Sequence, residues 1–206
     1  MSGLNSRAGS QALLMAGLGL AFGGAALWAG LGEGSVALWG FGGACLLQVA
    51  PALSLRWRIA QGLGNSGLDR ERRILRISSF LQRFLALGLA MASVSALLGE
   101  RAPQTTSATQ GAALLAVLAF APLWFAKRSF GPAHPAFQQE ADRSLLLLAL
   151  AVLLLAATVL GRWFFWADAA AGLAQALGLF FAGQALAKAT SLPAFRGGCG
   201  GSCSCG

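Results

Sequence analysis

The chain has 206 residues, of which 56% are hydrophobic and 11% charged, and its mean hydropathy is +0.66. Soluble domains carry about 25% charged residues, whereas here the apolar residues form continuous blocks that match the roughly 20 residues of a membrane-crossing helix. This pattern excludes a soluble domain and a membrane β-barrel, and the net charge of +8 indicates membrane orientation rather than nucleic-acid binding.

Six apolar segments predict an all-α, polytopic membrane protein with six transmembrane helices. In chain order the segments cover residues 11–31, 34–55, 78–99, 111–126, 144–161 and 168–189. The expected organisation is a cytoplasmic N-terminal segment at 1–10, a six-helix transmembrane domain at 11–189 and a flexible, Gly- and Cys-rich cytoplasmic tail at 190–206. Between the second and third segments, residues 65–67 favour a turn, and a short helix beginning near Asp69 leads into the third segment.

The basic residues are distributed unequally between the two ends of these segments. Twelve of the fifteen Lys and Arg residues flank one end, whereas only Arg101 and Arg162 flank the other. The positive-inside rule therefore predicts that both termini and the two longer loops are cytoplasmic. Two lysines and no tyrosine, beside many Ala, Gly, Leu and Arg, suggest a GC-rich bacterial gene. We expect a multi-pass protein of the bacterial inner (cytoplasmic) membrane, in contact with its lipids.

Several polar side chains fall inside or at the edges of the apolar segments, where a charge costs at least ~2.5 kcal/mol. Asp142 and Asp168 stand at the starts of segments five and six, so each can cap the N-terminus of its own helix. Gln175 and Gln184 are expected to hydrogen-bond between helices. Arg83 either snorkels to the cytoplasmic interface or pairs with Asp142 or Glu140. The other polar residues of this kind are Gln48 and Gln82.

The sequence contains no recognisable catalytic constellation, and we expect a non-enzyme. It has one histidine and no P-loop. The glycines of "GFGGA" lie within an apolar span rather than after a soluble strand, which argues against a nucleotide-binding loop.

Two stretches resemble the cation diffusion facilitator family of divalent-metal exporters. Residues 140–189, "EADRSLLLLALAVLLLAATVLGRWFFWADAAAGLAQALGLFFAGQALAKA", contain a "WAD" before a helix of small residues, similar to the family's entry into helix six. Residues 34–53, "GSVALWGFGGACLLQVAPAL", are similar to its second helix. The chain looks most like short members without the soluble C-terminal domain, some of which have cysteine tails. The resemblance implies divalent-cation efflux, proton antiport and a homodimer.

The resemblance also points to candidate residues for transport. The family places two metal ligands one helical turn apart on helix two and two more on helix five. On helix two these positions are Ala44 and Gln48. On helix five they are Asp142 and Leu146, so one carboxylate and one amide remain of a four-ligand site. We expect the transport path to pass Asp142, with Gln48 and Asp168 as further candidates.

The C-terminal sequence "RGGCGGSCSCG" carries the thiols Cys199, Cys203 and Cys205 on a glycine-serine chain. In a reducing cytoplasm these residues are not expected to form structural disulfides. Three thiolates can bind a soft or borderline ion such as Zn²⁺, Cd²⁺ or Cu⁺. Acylation of the cysteines, or a tail without a role, are the alternatives.

Two functional hypotheses follow from these observations. The first is a divergent divalent heavy-metal cation transporter of the inner membrane, efflux-like and proton-coupled, whose tail gathers Zn²⁺ or another soft divalent ion. The second is a non-transporting structural or accessory subunit of a larger membrane complex. The tail and the family layout favour the first hypothesis, and the missing ligands favour the second.

Overall fold

The computed structural model describes the backbone of residues 2–61, 67–100, 103, 106–130 and 135–191, and the side chains of these ranges apart from 2–6, 130 and 135–137. Within these ranges the chain forms six helices and no strand. They are α1 (Ser2–Glu33), α2 (Val36–Ala60), α3 (Leu68–Leu98), α4 (Ser107–Phe130), α5 (Pro135–Leu160) and α6 (Ala167–Ser191). All six are long and apolar enough to cross a membrane, which confirms the all-α prediction of six helices of membrane-spanning length.

The helices extend further than the predicted apolar segments. α1 begins at Ser2 and α5 at Pro135, well before the expected starts at 11 and 144. α3 is one continuous helix of 31 residues, so the expectation of a separate short helix before the third segment was wrong. Hydropathy detects only the part of a helix that matches the bilayer, and the polar first turns of these helices continue beyond it.

The turn into α3 depends on a glycine. Gly67 has a φ of +87°, in the left-handed region that a residue with a side chain rarely adopts. A Cβ atom at this position would also collide with the indole ring of Trp57. Asp69 and Glu71 follow in the first turn of α3, where carboxylates interact favourably with the helix dipole.

The helices alternate in direction, and α2 lies at the centre of the bundle. α2 packs most extensively against α1 and also contacts α3, α5 and α6. The other large contacts are between α3 and α6 and between α4 and α5. The N-termini of α1, α3 and α5 therefore share one end with the C-termini of α2, α4 and α6. We call this arginine-rich end the basic end, and the opposite one the far end.

Buried ion pairs link neighbouring helices at the basic end. Arg58 of α2 donates to Glu71 of α3 at 2.5 Å, and Lys127 of α4 donates to Glu140 of α5 at 2.9 Å. Arg143 lies 3.4 Å from the second oxygen of Glu140. These pairs fix the α2–α3 and α4–α5 connections where the positive charge is densest.

Candidate functional site

A cavity of about 250 Å³, with both polar and apolar lining residues, lies between α2, α3, α5 and α6 and extends from the basic end to the middle of the bundle. We call it the glutamine cavity. Its other walls are formed by alanine and leucine side chains of α5 and α6. The polar residues that line it are Gln48, Gln82, Gln139, Asp142 and Arg143.

Two buried glutamines form the inner end of this cavity. Gln48 lies midway along α2 and Gln82 midway along α3, and each is only 2% exposed. Within the described structure, Nε2 and Oε1 of Gln48 and Oε1 of Gln82 have no hydrogen-bond partner. Because the large majority of buried polar atoms in proteins are hydrogen-bonded, these three atoms can pair with an ordered water molecule or another polar guest.

Asp142 lies at the mouth of the glutamine cavity, near the basic end. α5 begins at Pro135, so Asp142 lies two turns inside the helix and does not cap its N-terminus as expected. The side chain is exposed and lines the cavity. The neighbouring Arg143 also lines the mouth, and it shares the carboxylate of Glu140 with Lys127. The mouth thus combines an accessible carboxylate with an ion-paired guanidinium.

Arg83 is not part of this site. Its Nε donates to the Ser79 carbonyl at 3.3 Å, and the side chain lines a separate apolar groove between α3 and α6. Among the ion pairs of the described residues, Arg83 joins neither Asp142 nor Glu140, so the alternative of a pairing with one of them was wrong. The glutamine cavity therefore receives no charge from this arginine.

Asp168 lies at the far end, away from Asp142 and Gln48. It is 4% exposed and caps α2 rather than its own helix, α6. Ser35 Oγ donates to its Oδ1 at 2.5 Å, and the backbone N–H groups of Val36 and Ala37 donate to its two oxygens at 2.7 and 3.3 Å. The three transport candidates are therefore split: Gln48 and Asp142 line one cavity, and Asp168 joins two helices elsewhere.

A second polar cluster at the far end was missed by the sequence reasoning. Oε1 of Glu33 accepts hydrogen bonds from Thr106 at 2.9 Å and from Thr109, and it joins the end of α1 to the start of α4. These residues border a cavity of about 240 Å³ that is otherwise mainly apolar. Glu33 gave no recognisable signal because it ends an apolar run in "GLGEGS", which is typical of an exposed loop.

The expected metal ligands of the tail, Cys199, Cys203 and Cys205, lie outside the described residues. In the part of the chain that is described, no group of three or more His, Cys, Asp or Glu side chains is placed to hold a metal ion. The fourth cysteine, Cys45, is fully buried in α2 among apolar neighbours.

No protein-family model matches the sequence, and no curated protein matches it significantly. The similarity to cation diffusion facilitators consequently rests on the sequence patterns quoted above, and membership of that family stays a proposal.

Proposed function

We propose that this protein is a divergent divalent metal cation transporter of the bacterial inner membrane, related to the cation diffusion facilitators. One observation carries the proposal: Gln48 and Asp142, selected by the resemblance from helices two and five, line the same cavity. Gln82 adds a third polar group there, with a buried oxygen that has no partner within the described structure. The cavity is therefore the place where a cation can leave water and enter the bundle.

The charge distribution supports an orientation with the basic end in the cytoplasm. Arginines beside membrane helices stay on the cytoplasmic side, and here most of them lie at the same end of the bundle as the mouth of the glutamine cavity. The outer faces of the helices carry large exposed apolar side chains, such as Phe84 and Leu98 on α3, which suit contact with hydrocarbon. In this orientation the cavity faces the cytoplasm, as efflux requires.

Each candidate residue has a distinct part in the proposed transport. Asp142 attracts the cation at the mouth, since a carboxylate near a low-dielectric wall strengthens the local field. Gln48 and Gln82 offer amide groups at the inner end that can hydrogen-bond to waters that the ion retains. Asp168 keeps α2 and α6 in register at the far end. The tail cysteines gather metal ions beside the basic end, and proton antiport drives the efflux.

A flux assay in proteoliposomes tests this function. The purified protein is expected to move at least one of Mn²⁺, Co²⁺, Zn²⁺ and Cd²⁺, and Asp142→Asn should slow that movement about tenfold or more, because the cation loses its charged ligand at the mouth. Asp69→Asn is the matched control, since Asp69 is an exposed aspartate of the basic end that does not line the cavity. Absence of flux, or equal flux in Asp142→Asn, would contradict the proposal.

The second candidate is a structural or accessory subunit of a larger membrane complex. Two observations favour it: the described bundle lacks a cluster of three metal-ligating side chains, and α1, α2 and α3 enclose an apolar groove of about 710 Å³. A helix of a partner protein can pack in a groove of this kind. Stable co-purification with a larger assembly in mild detergent, together with absent flux, would favour this candidate.

A further inference from the structure

We propose that the glutamine cavity selects a hard, oxygen-preferring divalent cation that keeps part of its hydration shell, such as Mn²⁺ or Mg²⁺, over Zn²⁺ and Cd²⁺. This inference rests on the proposed transport function and names its substrate class. It differs from the expectation of a soft heavy-metal ion drawn from the cysteine tail.

The first argument is the chemistry of the lining. The groups that can bind a cation there are the carboxylate of Asp142 and the amide oxygens of Gln48, Gln82 and Gln139. No thiol or imidazole belongs to the described lining, and Cys45 is buried elsewhere in the apolar core. Carboxylate, carbonyl and water oxygens suit Mg²⁺, Ca²⁺ and Mn²⁺, whereas Zn²⁺ and Cd²⁺ prefer sites that contain sulfur or imidazole nitrogen.

The size of the glutamine cavity also favours a hydrated ion. A directly bound Mg²⁺ ion needs its oxygen ligands at about 2.0–2.1 Å, a fit that a roomy cavity between four helices does not provide. A water molecule occupies about 30 Å³ in the liquid, so six waters around an ion require roughly 180 Å³. The glutamine cavity, at about 250 Å³, has room for such an ion. The lining then contacts mainly the waters of the ion.

The third argument is the set of buried atoms without partners. Oε1 of Gln48 and Oε1 of Gln82 can each accept a hydrogen bond from a water molecule of the ion, and Nε2 of Gln48 can donate to another water. A partly hydrated cation thus satisfies all three atoms, which otherwise have no partner in the described structure. A dehydrated ion would leave Nε2 without an acceptor.

The fourth argument is charge. Asp142 supplies one negative charge to the lining, and the single carboxylate of Glu140 is shared by Lys127 and Arg143, so these four side chains together carry no net charge. Complete dehydration of a divalent ion at a site with one carboxylate leaves much of its charge uncompensated, which is very unfavourable in a low-dielectric interior. An ion that keeps its waters avoids most of this cost, because the waters spread its charge.

The test uses the full-length protein with Cys199, Cys203 and Cys205 replaced by serine, so that tail thiols do not bind the probe ions. In proteoliposomes, the flux of Mn²⁺ is expected to exceed the fluxes of Zn²⁺ and Cd²⁺ at least tenfold, and Mg²⁺ should compete with Mn²⁺. Gln48→His adds an imidazole at the inner end and should shift the Zn²⁺-to-Mn²⁺ flux ratio about tenfold toward Zn²⁺. Gln184→His, at an exposed position of α6 outside the lining, is the matched control and should leave the ratio unchanged.

The outcomes separate this inference from the proposed function. Zn²⁺ flux equal to or above that of Mn²⁺ would overturn the selectivity and leave transport intact. Saturable binding of one Mn²⁺ in an electron paramagnetic resonance titration, weakened by Asp142→Asn and without flux of any ion, would support the site and overturn transport. If neither flux nor Mn²⁺ binding occurs, both proposals are wrong.

Discussion

The hydrogen bonds of Asp168 explain how one buried carboxylate is stabilised in this bundle. Both its oxygens accept hydrogen bonds at the first turn of α2, although the residue itself belongs to α6. The N-terminus of a helix has N–H groups without intrahelical partners and a partial positive charge, so a carboxylate is favoured there. The carboxylate of Asp168 thus connects the start of α6 to the start of α2.

Replacing this carboxylate by an amide should destabilise the protein. Asp168→Asn removes the negative charge and one acceptor, and we expect a loss of about 1–2 kcal/mol of unfolding free energy. Ser35→Ala should have an effect of similar size, because the Ser35 hydroxyl donates to Asp168 and accepts from the N–H of Leu38. Asp69→Asn is the control and should cost less, roughly 0.3–1 kcal/mol, because it loses only the interaction with the dipole of α3. Unfolding in detergent measures all three, and an unchanged Asp168→Asn would contradict the capping role.

The sequence predicted some of these residue contacts and not others. The interhelical bond of Gln175 is confirmed, since its Nε2 donates to the Leu150 carbonyl at 3.2 Å. The same expectation for Gln184 was wrong, because its side chain is exposed on α6 and makes no hydrogen bond to another helix in the described structure. A buried amide in a helix of small residues has few side-chain partners within its own helix, so a hydrogen bond to a neighbouring helix can be predicted from the sequence. The partner of Asp168 could not be predicted, because Ser35 lies 133 residues away and capping rules consider only neighbours in the sequence. The sequence also could not predict that Gln48 and Gln82 line one cavity, because the two residues are far apart in the chain and belong to different helices.

At the scale of the helices, the contact of α2 with α3 and α6 depends on the absence of a side chain at Gly40. A Cβ atom there would lie 2.6 Å from Cδ2 of Leu89 and would collide with Oε1 of Gln175. Close backbone approach at small residues is how membrane helices gain van der Waals contact. Gly40 therefore brings three helices together beside a buried amide.

A methyl group at this contact should separate the helices. Gly40→Ala is expected to cost about 1–3 kcal/mol, since overpacking forces side chains or backbone to move. Gly24→Ala is the matched control, because nothing lies within 4 Å of a Cβ at that helical position of α1. The control should be neutral or slightly stabilising. Thermal unfolding of the two variants in detergent measures the difference. Equal midpoints would show that the packing of α2 does not depend on the close contact at Gly40.

The number and type of the helices could be predicted because a continuous apolar run has few folding options in a bilayer. Their ends could not, because polar first turns such as those of α3 and α5 resemble loops in a hydropathy profile. The sequence alone also could not predict which helices pack against each other. α3 pairs with α6, about 100 residues later in the chain, through close contacts that include Gly172 beside Ser93 and Gly183 beside Arg83. Small residues indicate that a helix packs closely, but not which helix it packs against.

At the scale of the whole molecule, charge and aromatic residues distinguish the two ends. At the basic end, Arg70 stacks on Trp57 with its guanidinium 5.0 Å from the ring centroid, and Arg128 lies 5.4 Å from that of Trp124. At the far end, Trp163 is largely exposed just beyond α5. Indole rings prefer the headgroup region of a bilayer, so these tryptophans mark two interfaces separated by the length of the helices.

The orientation of the molecule can be measured through its own thiols. Because the basic end carries most of the arginines, we expect Cys199, Cys203 and Cys205 to face the cytoplasm and to resist a membrane-impermeant maleimide until the membrane is permeabilised. In a variant with these three cysteines replaced by serine, Ser107→Cys at the exposed start of α4 should react from outside in spheroplasts. Cys45 is fully buried and gives no background in either variant. The opposite labelling pattern would place the mouth of the glutamine cavity on the periplasmic side. Entry of a cation through that mouth would then correspond to uptake, which would contradict the proposed efflux.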